Sequence, residues 1–247
     1  MIIRNGYQKI RFFGHKDIDL VIKKISNKLN NLQKIAQINE KNIHLLHKIN
    51  FSKKNYKKII QTKNRNFFFS PDLIKQRVNK SKVKEILNKI WGHNNFKIVW
   101  IGSPKRKEFR YNRIAFRLAR PKNKFDVAGE HIDSYNNEKN YFFTIWVPII
   151  GFNKKYSLKI YPKTHSVNHD KNVKKYNKKN SRLFKKGYLK KFKEKRFSLR
   201  KGDALIFDQN LIHGGAINNG NKTRLSIEIR IFNKKKFNKL KLFSKKI

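Results

Sequence analysis

The sequence predicts a mostly β protein with N-terminal helices, its strands closing into a barrel or stacking as a jelly roll. Three observations predict it. Apolar residues recur at threes and fours in the first part of the chain, then give way to alternation and short apolar runs after Gly92. Those runs number about eight and are separated by turn signals. The chain has 247 residues, enough for one domain with a sizeable core. The expected organisation is a single domain over 1–247: a helical elaboration over 1–95, a β core over 96–232 and a basic tail over 233–247.

The elements follow in order. Residues 8–13 form a short strand. Over 17–37 the apolar residues Ile18, Val21, Ile22, Ile25, Leu29, Leu32 and Ile35 draw one helical stripe, with Asp17 near its start. Residues 42–49 form a second, short helix. Ser70-Pro71-Asp72 opens another by an N-cap serine followed by proline, and Val83, Ile86, Leu87 and Ile90 continue the helical period. Strands are expected over 96–101 and 113–120, the latter stopped by Pro121. The near-continuous apolar run 141–149 suits a strand buried on both faces. Further strands are expected over 157–161, 196–199, 204–207, 211–213 and 223–232, with turns at Lys201-Gly202-Asp203 and 218–221. Residues 167–195, rich in Lys, Asn and Tyr, read as an exposed excursion, part helical or a lid.

Composition bounds the chemistry. With no cysteine, disulfides, zinc–thiolate sites and thiol nucleophiles are excluded. The opening Met1-Ile2-Ile3-Arg4-Asn5 lacks the apolar run of a signal peptide, and the most apolar segment, 141–152, is too short to span a bilayer. A soluble, cytoplasmic protein without a membrane span is expected. Lys and Arg number 62 against 15 Asp and Glu, a formal charge of +47. One reading is a polyanionic partner, nucleic acid or an anionic membrane surface. The other is genome composition, since the abundant Lys, Asn, Ile, Phe and Tyr have A/T-rich codons. The second is preferred because the lysines are scattered and form no stripe alternating with aromatics, although codon bias does not account for the scarcity of Asp and Glu.

The chemistry gathers at Glu130-His131-Ile132-Asp133, His213 and Arg224-Leu225-Ser226. On a strand His131 and Asp133 share a face, while Glu130 points the other way. If a later strand brings His213 alongside, two imidazoles and one carboxylate form a set that suits Fe(II) and leaves three coordination positions open. Arg224, eleven residues after His213, carries a planar fork for a carboxylate, and Ser226 adds a hydroxyl on the same face. Metal site plus carboxylate clamp describes an iron enzyme using 2-oxoglutarate. Taken alone, His131 and Asp133 are better read as a loop cap and a turn carboxylate; the ordered set favours ligation. His213 precedes Gly214-Gly215, where backbone or ligand approaches closely, or is a plain turn histidine. In the last strand Leu225, Ile227, Ile229 and Ile231 alternate with Arg224, Ser226, Glu228 and Arg230, so the polar face is either wet or lines a barrel mouth.

These residues, in this order, resemble the Fe(II)/2-oxoglutarate dioxygenases. Pro162-Lys163-Thr164-His165, Lys201-Gly202-Asp203-Ala204-Leu205-Ile206-Phe207 and His213-Gly214-Gly215 with Asn218 resemble the phytanoyl-CoA dioxygenase-like family. Arg117-Leu118-Ala119-Arg120-Pro121 resembles its branch associated with sugar and polysaccharide biosynthesis. The resemblance spans roughly 81–232 and departs at Lys163, where the family's turn has glycine. It implies a double-stranded β-helix (jelly roll, cupin-like) core, Fe(II) held by His131, Asp133 and His213, and 2-oxoglutarate chelating the iron while Arg224 and Ser226 hold its far carboxylate. O2 would take the last position. A C–H bond of a small molecule, sugar-linked by the resemblance to that branch, would be hydroxylated as 2-oxoglutarate is decarboxylated to succinate. Because Asp133 is kept, and the related halogenases lack that carboxylate, hydroxylation is favoured.

Other residues keep two readings. Trp146 packs beside the cosubstrate or simply in the core. Arg117 and Arg120 reach the substrate or lie on the surface. His165 supports a turn. His44 and His47 are a helix-surface pair rather than ligands. Arg224 and Arg230 also satisfy the Arg-x5-Arg spacing of the nucleic-acid demethylases of the same superfamily, a rival that the short His213–Arg224 interval and the Pro-x-Thr-His element oppose. A non-catalytic cupin-like metal- or anion-binding module is the third reading.

Overall fold

A computed structural model of the chain describes residues 2–32, 38–48, 66–69, 77, 80–92, 96–99, 114–134, 142–172, 184–185 and 187–233. After a single helical turn, α1 (Ile2–Asn5), strand β1 (Tyr7–Arg11) leads into α2 (His15–Leu32). The stripe read from the sequence is the buried face of α2: Ile18, Val21, Ile22, Ile25 and Leu29 are all buried. The expected second helix is a 3-10 helix over Ile43–Lys48. α3 (Lys80–Trp91) buries Val83, Ile86 and Leu87 and ends at Gly92, whose positive φ and N–H bond to the Asn88 carbonyl stop the helix. The helix start expected at Ser70, the strand end at Trp100-Ile101 and the basic tail beyond Asn233 lie outside the described residues.

The strands are β2 (Asn66–Phe69), β3 (Phe96–Val99), β4 (Ile114–Ala119), β5 (Phe142–Ile150), β6 (Lys159–Ile160), β7 (Asp203–Asp208), β8 (His213–Gly214) and β9 (Arg224–Asn233). All their pairings are antiparallel. The large sheet has seven strands in the order β1-β7-β5-β9-β4-β2, with β3 pairing the far end of β9. A second layer is built from β6 and β8 and widened by single bridges, Ile160 to Lys195 and His213 to His131.

One residue in two along β5, β7 and β9 faces the helices. Phe143, Ile145, Val147, Ile149, Ile206, Leu225, Ile227, Ile229 and Ile231 form one core with α2 and α3. At about 1.5–3 kcal/mol per fully buried aliphatic side chain, this contact dominates the folding energy. The opposite face looks at the second layer. Half of that interior is apolar, where Trp146, Leu205 and Phe207 pack on Tyr7, Leu158, Ile160 and Leu211. The other half is polar. β5 is therefore buried on both faces, as its apolar run requires.

Two expectations change. Residues 196–199 alternate as a strand would, but they run extended without a ladder. Phe197 and Leu199 turn inward onto the Trp146 cluster while Ser198 and Arg200 face water, so the alternation reports one-sided burial. The excursion over 167–195, where described, is not a bare exposed loop: Phe184 and Tyr188 are buried against Ile132, Tyr161 and Ile212 on the outer side of the second layer. Residues 173–183 and 186 lie outside the described residues. Among the described residues no helix is long and apolar enough to cross a membrane.

Gly151, at φ +63°, turns the chain out of β5. A Cβ there would land on the Thr223 carbonyl oxygen, close to the Arg224 Cα. Gly151→Ala therefore should push the start of β9 away from β5, lowering the thermal midpoint by about 2–4 °C or more, read by circular dichroism.

Candidate metal centre

The centre begins with a backbone contact. The His131 N–H donates to the His213 carbonyl at 2.8 Å and the His213 N–H donates to the His131 carbonyl at 2.9 Å. Residues that exchange both bonds stand directly opposite, with side chains on one face. The two rings accordingly lie 4.4 Å apart between centroids. Asp133 arrives differently from the strand expectation. The chain bends after Ile132, and the Asp133 N–H donates to the Gln209 carbonyl at 2.8 Å. That anchor brings Asp133 Oδ1 to 3.8 Å from His131 Nε2 and 3.9 Å from His213 Nε2. Among the described residues these three are the only metal-ligating group, their ligand atoms all within 4.8 Å of one another.

The protonation states suit a cation. His131 Nδ1 lies 2.8 Å from the Gly129 carbonyl and His213 Nδ1 lies 2.9 Å from the Leu211 carbonyl. A carbonyl only accepts, so each Nδ1 carries the hydrogen and each Nε2 turns its lone pair inward. Burial lowers His131 to about 4, reinforced by His213 beside it. Burial likewise lowers His213. For Asp133 burial acts upward, but His213, Arg230, His131 and the Thr144 hydroxyl outweigh it and hold the carboxyl well below the usual carboxylate range. Two neutral imidazoles and an ionised carboxylate are thus ready-made, and this nitrogen and oxygen donor set fits Fe(II).

The imidazoles open on a pocket that Trp146, Arg224, Ser226 and Arg117 also line. The register explains the grouping. β9 puts Ser226 opposite Pro148 of β5 and Arg117 of β4, and Glu228 opposite Trp146. Arg224, Ser226 and Arg230 are buried, so the polar face of β9 lines an interior and is not a wet outer face. The Arg224 guanidinium also donates to the Tyr156 carbonyl. Its neighbour Thr223 is tied to the 3-10 helix, donating its N–H to the His44 carbonyl at 2.7 Å and accepting the His47 N–H at 3.2 Å. His47, whose ring nitrogen is 2.8 Å from the same hydroxyl, is thereby a bracing residue for β9.

The two arginines of the Arg117–Arg120 stretch part company. Arg117 faces the cavity and pairs with Glu228 at 2.5 Å. Arg120 is engaged by Asp126, with its Nε at 2.8 Å and Nη2 at 2.7 Å. Glu130, opposite in phase to His131, pairs with Lys159. His165 Nε2 meets the Ile3 carbonyl at 3.0 Å. The turn before it holds Lys163 at φ +68°, so lysine adopts the left-handed conformation that glycine takes at lower cost. That turn supports the second histidine, because Thr164 Oγ1 accepts the Ile212 N–H at 2.9 Å.

Sequence reasoning missed Thr144 and Gln209; it met Glu228 and Arg230 on the polar face of the last strand, and Arg230 also through a spacing, without giving Glu228 a role. Thr144 had a signal: it is the one hydroxyl in the apolar run Phe142–Ile150. Gln209 had none, since its role is played by a backbone carbonyl and by Oε1, which accepts the Phe142 N–H at 3.2 Å.

No protein-family model matches the chain, and no curated protein matches it in sequence. Solved structures do match in fold. EvdO2 from Micromonospora carbonacea var. aurantiaca, complexed with 2-oxoglutarate, superposes with a TM-score of 0.59 at 9% identity over 94% of this chain and 88% of that one. AviO1 from Streptomyces viridochromogenes Tue57 gives 0.54 at 11% identity, over 94% and 91%. The epimerase SnoN, in complex with Fe3+, alpha ketoglutarate and nogalamycin RO, gives 0.52 at 12% identity, over 94% and 80%. At such identities the likeness shows a common fold.

The histidines make the metal-free protein acid-labile. His131 titrates near 4 when folded against an ordinary 6.5, so between those values the unfolded chain binds a proton that the folded chain refuses. Stability is then full above that window and is lost as pH falls through it, with His213 acting in the same direction. Urea midpoints of metal-free protein should fall steadily from about pH 7 to about pH 4, and His131→Gln should flatten the slope.

Proposed function

We propose that this chain is an Fe(II)- and 2-oxoglutarate-dependent oxygenase that hydroxylates a C–H bond of a small molecule. The observation that carries the reading is that His131 and His213, clustered with Asp133, line the same pocket as Arg224 and Ser226. His131 and His213 would hold the iron through Nε2, and Asp133 through a carboxylate oxygen. Arg224, with its charge kept in the wall by β9, and Ser226 would bind the far carboxylate of 2-oxoglutarate. Trp146 would close one side of that pocket, and the apolar wall behind it would keep water from the reacting centre. The iron, with O2 and 2-oxoglutarate, supplies the oxidising power; the protein supplies geometry and shielding.

Several finer points belong to the same proposal. The two-layered antiparallel architecture supports a double-stranded β-helix, and the Pro162–His165 turn bracing Ile212 supports the phytanoyl-CoA dioxygenase-like branch. Arg117, in the cavity beside Glu228, is placed to meet the substrate; Arg120 would act through the Asp126 loop. Neighbours of this fold include an epimerase, a carbocyclase and a monooxygenase. Hydroxylation is our reading because the resemblance points to it and Asp133 is present.

Nucleic-acid demethylation is the second reading, favoured by one observation: the Arg-x5-Arg spacing sets Arg230 within 3.5 Å of Asp133. With a charge of +47 it predicts micromolar binding to single-stranded DNA that collapses as salt rises from about 50 to about 200 mM. Fluorescence anisotropy that stays flat across that range removes this reading.

For the principal reading, anaerobic titration with Fe(II) and then 2-oxoglutarate should raise the visible charge-transfer band of a chelated 2-oxo acid. Arg224→Ala should weaken 2-oxoglutarate binding by about 10–100-fold, the loss of a charged hydrogen-bond pair. Asp133→Ala should abolish metal-dependent succinate formation. Iron binding without the band would leave a cupin-like metal module, and no iron binding would refute the ligand assignment.

A further inference from the structure

We infer that Thr144 is a positioning residue that reserves one oxygen of Asp133, so that the carboxylate meets the metal through Oδ1 alone. The inference rests on the metal reading above and goes on to a residue outside the ligand set. The Thr144 hydroxyl donates to Asp133 Oδ2 at 2.6 Å. The other oxygen, Oδ1, is the one that faces His131 Nε2 and His213 Nε2. The two oxygens therefore have separate duties before any metal arrives.

The surroundings make this a built arrangement. Thr144 is 1% exposed in a strand that is otherwise apolar. Burying a hydroxyl there is unfavourable unless it is hydrogen-bonded, and the carboxylate supplies the bond. The threonine's χ1 is restricted by its β-branch, which limits where the hydroxyl oxygen can lie. Thr144 also pairs in register with Arg230, whose Nη2 lies 3.5 Å from Oδ1 and whose guanidinium sits 4.8 Å over the Phe142 ring. One strand register thus brings a hydroxyl to one oxygen of Asp133 and a cation to the other. A carboxylate that closed both oxygens on the metal would break the Thr144 bond and occupy a fourth position. With Oδ2 reserved, the two imidazoles and Oδ1 would supply three ligand atoms and leave the other positions of a bound ion to small molecules.

The test uses Co(II), whose absorption reports coordination number, added to the full-length protein. Wild type and Thr144→Ser, which keeps the hydroxyl, should bind Co(II) with equal affinity and the same spectrum. Thr144→Val, equal in shape but without the donor, should bind about 10–100-fold more weakly with an altered spectrum. A folded Thr144→Val protein with unchanged affinity and spectrum overturns the inference. Infrared difference spectra of wild-type protein on metal addition give an answer that needs no variant. A wide splitting between the carboxylate stretches is expected of one-oxygen ligation, and a narrow bidentate splitting overturns the role of Thr144 while leaving the metal site standing. Failure of the wild type to bind Co(II) overturns the metal reading itself.

Discussion

The pairing of β5 with β9 is the constraint on which the rest of the structure depends. It runs from Phe142↔Phe232 to Pro148↔Ser226 before a shift at Ile150. Because side chains alternate along a strand, this one register decides two things together. It sends Ile145, Val147, Ile227 and Ile229 to the helices, and it sends Thr144, Trp146, Ser226, Glu228 and Arg230 to the interior between the layers. A slip of one residue would put the isoleucines in the cavity and the arginines in the core. The strong apolar side of the pairing thereby holds the polar side in place, although the polar side adds little stability of its own.

A buried polar interior carries a cost that must be met by partners. Here nearly every group has one at hand: Arg117 with Glu228, Arg120 with Asp126, Asp133 with Thr144 and Arg230, and both histidine Nδ1 atoms with backbone carbonyls. Burial keeps the imidazoles neutral, and the partners of Asp133 keep the carboxylate ionised, the state a divalent cation needs. Among the described residues the second layer is slight, two short strands and two bridges, and it draws support from outside. Thr164 braces Ile212, and the Phe184 and Tyr188 rings cover its outer side. The same segment read from the sequence as an exposed excursion is thus part of what holds His213 steady.

Much of the fold was legible because the relevant signals are local. The stripe of α2 and the alternation of β9 need only a helical or strand period; the stripe is the buried face of α2, and the alternation divides the core side of β9 from its polar interior side. Where the reading went astray, the period was correct and the partner was missing. Residues 196–199 alternate yet join no sheet, and Asp133 shares a side with His131 through a bend anchored on Gln209 instead of through a strand. The His44 and His47 pair shows the same limit. Its spacing placed it on a short helix, but its hydrogen bonds to Thr223 cross most of the chain.

By itself the sequence determined the residue types and their order, two histidines, an aspartate, an arginine and a serine, and it set Arg224 and Ser226 on one face of an alternating strand. Only the tertiary structure decided that His131 and His213 exchange backbone hydrogen bonds and that Arg117 enters the cavity while Arg120 turns to Asp126. Likewise, only the tertiary structure decided that a threonine in the most apolar strand touches the aspartate. The physical reason is the range of the interactions. Periodicity is set by the backbone dihedrals of adjacent residues, whereas register and hydrogen-bond partnership join segments tens of residues apart, chosen by how the whole core packs.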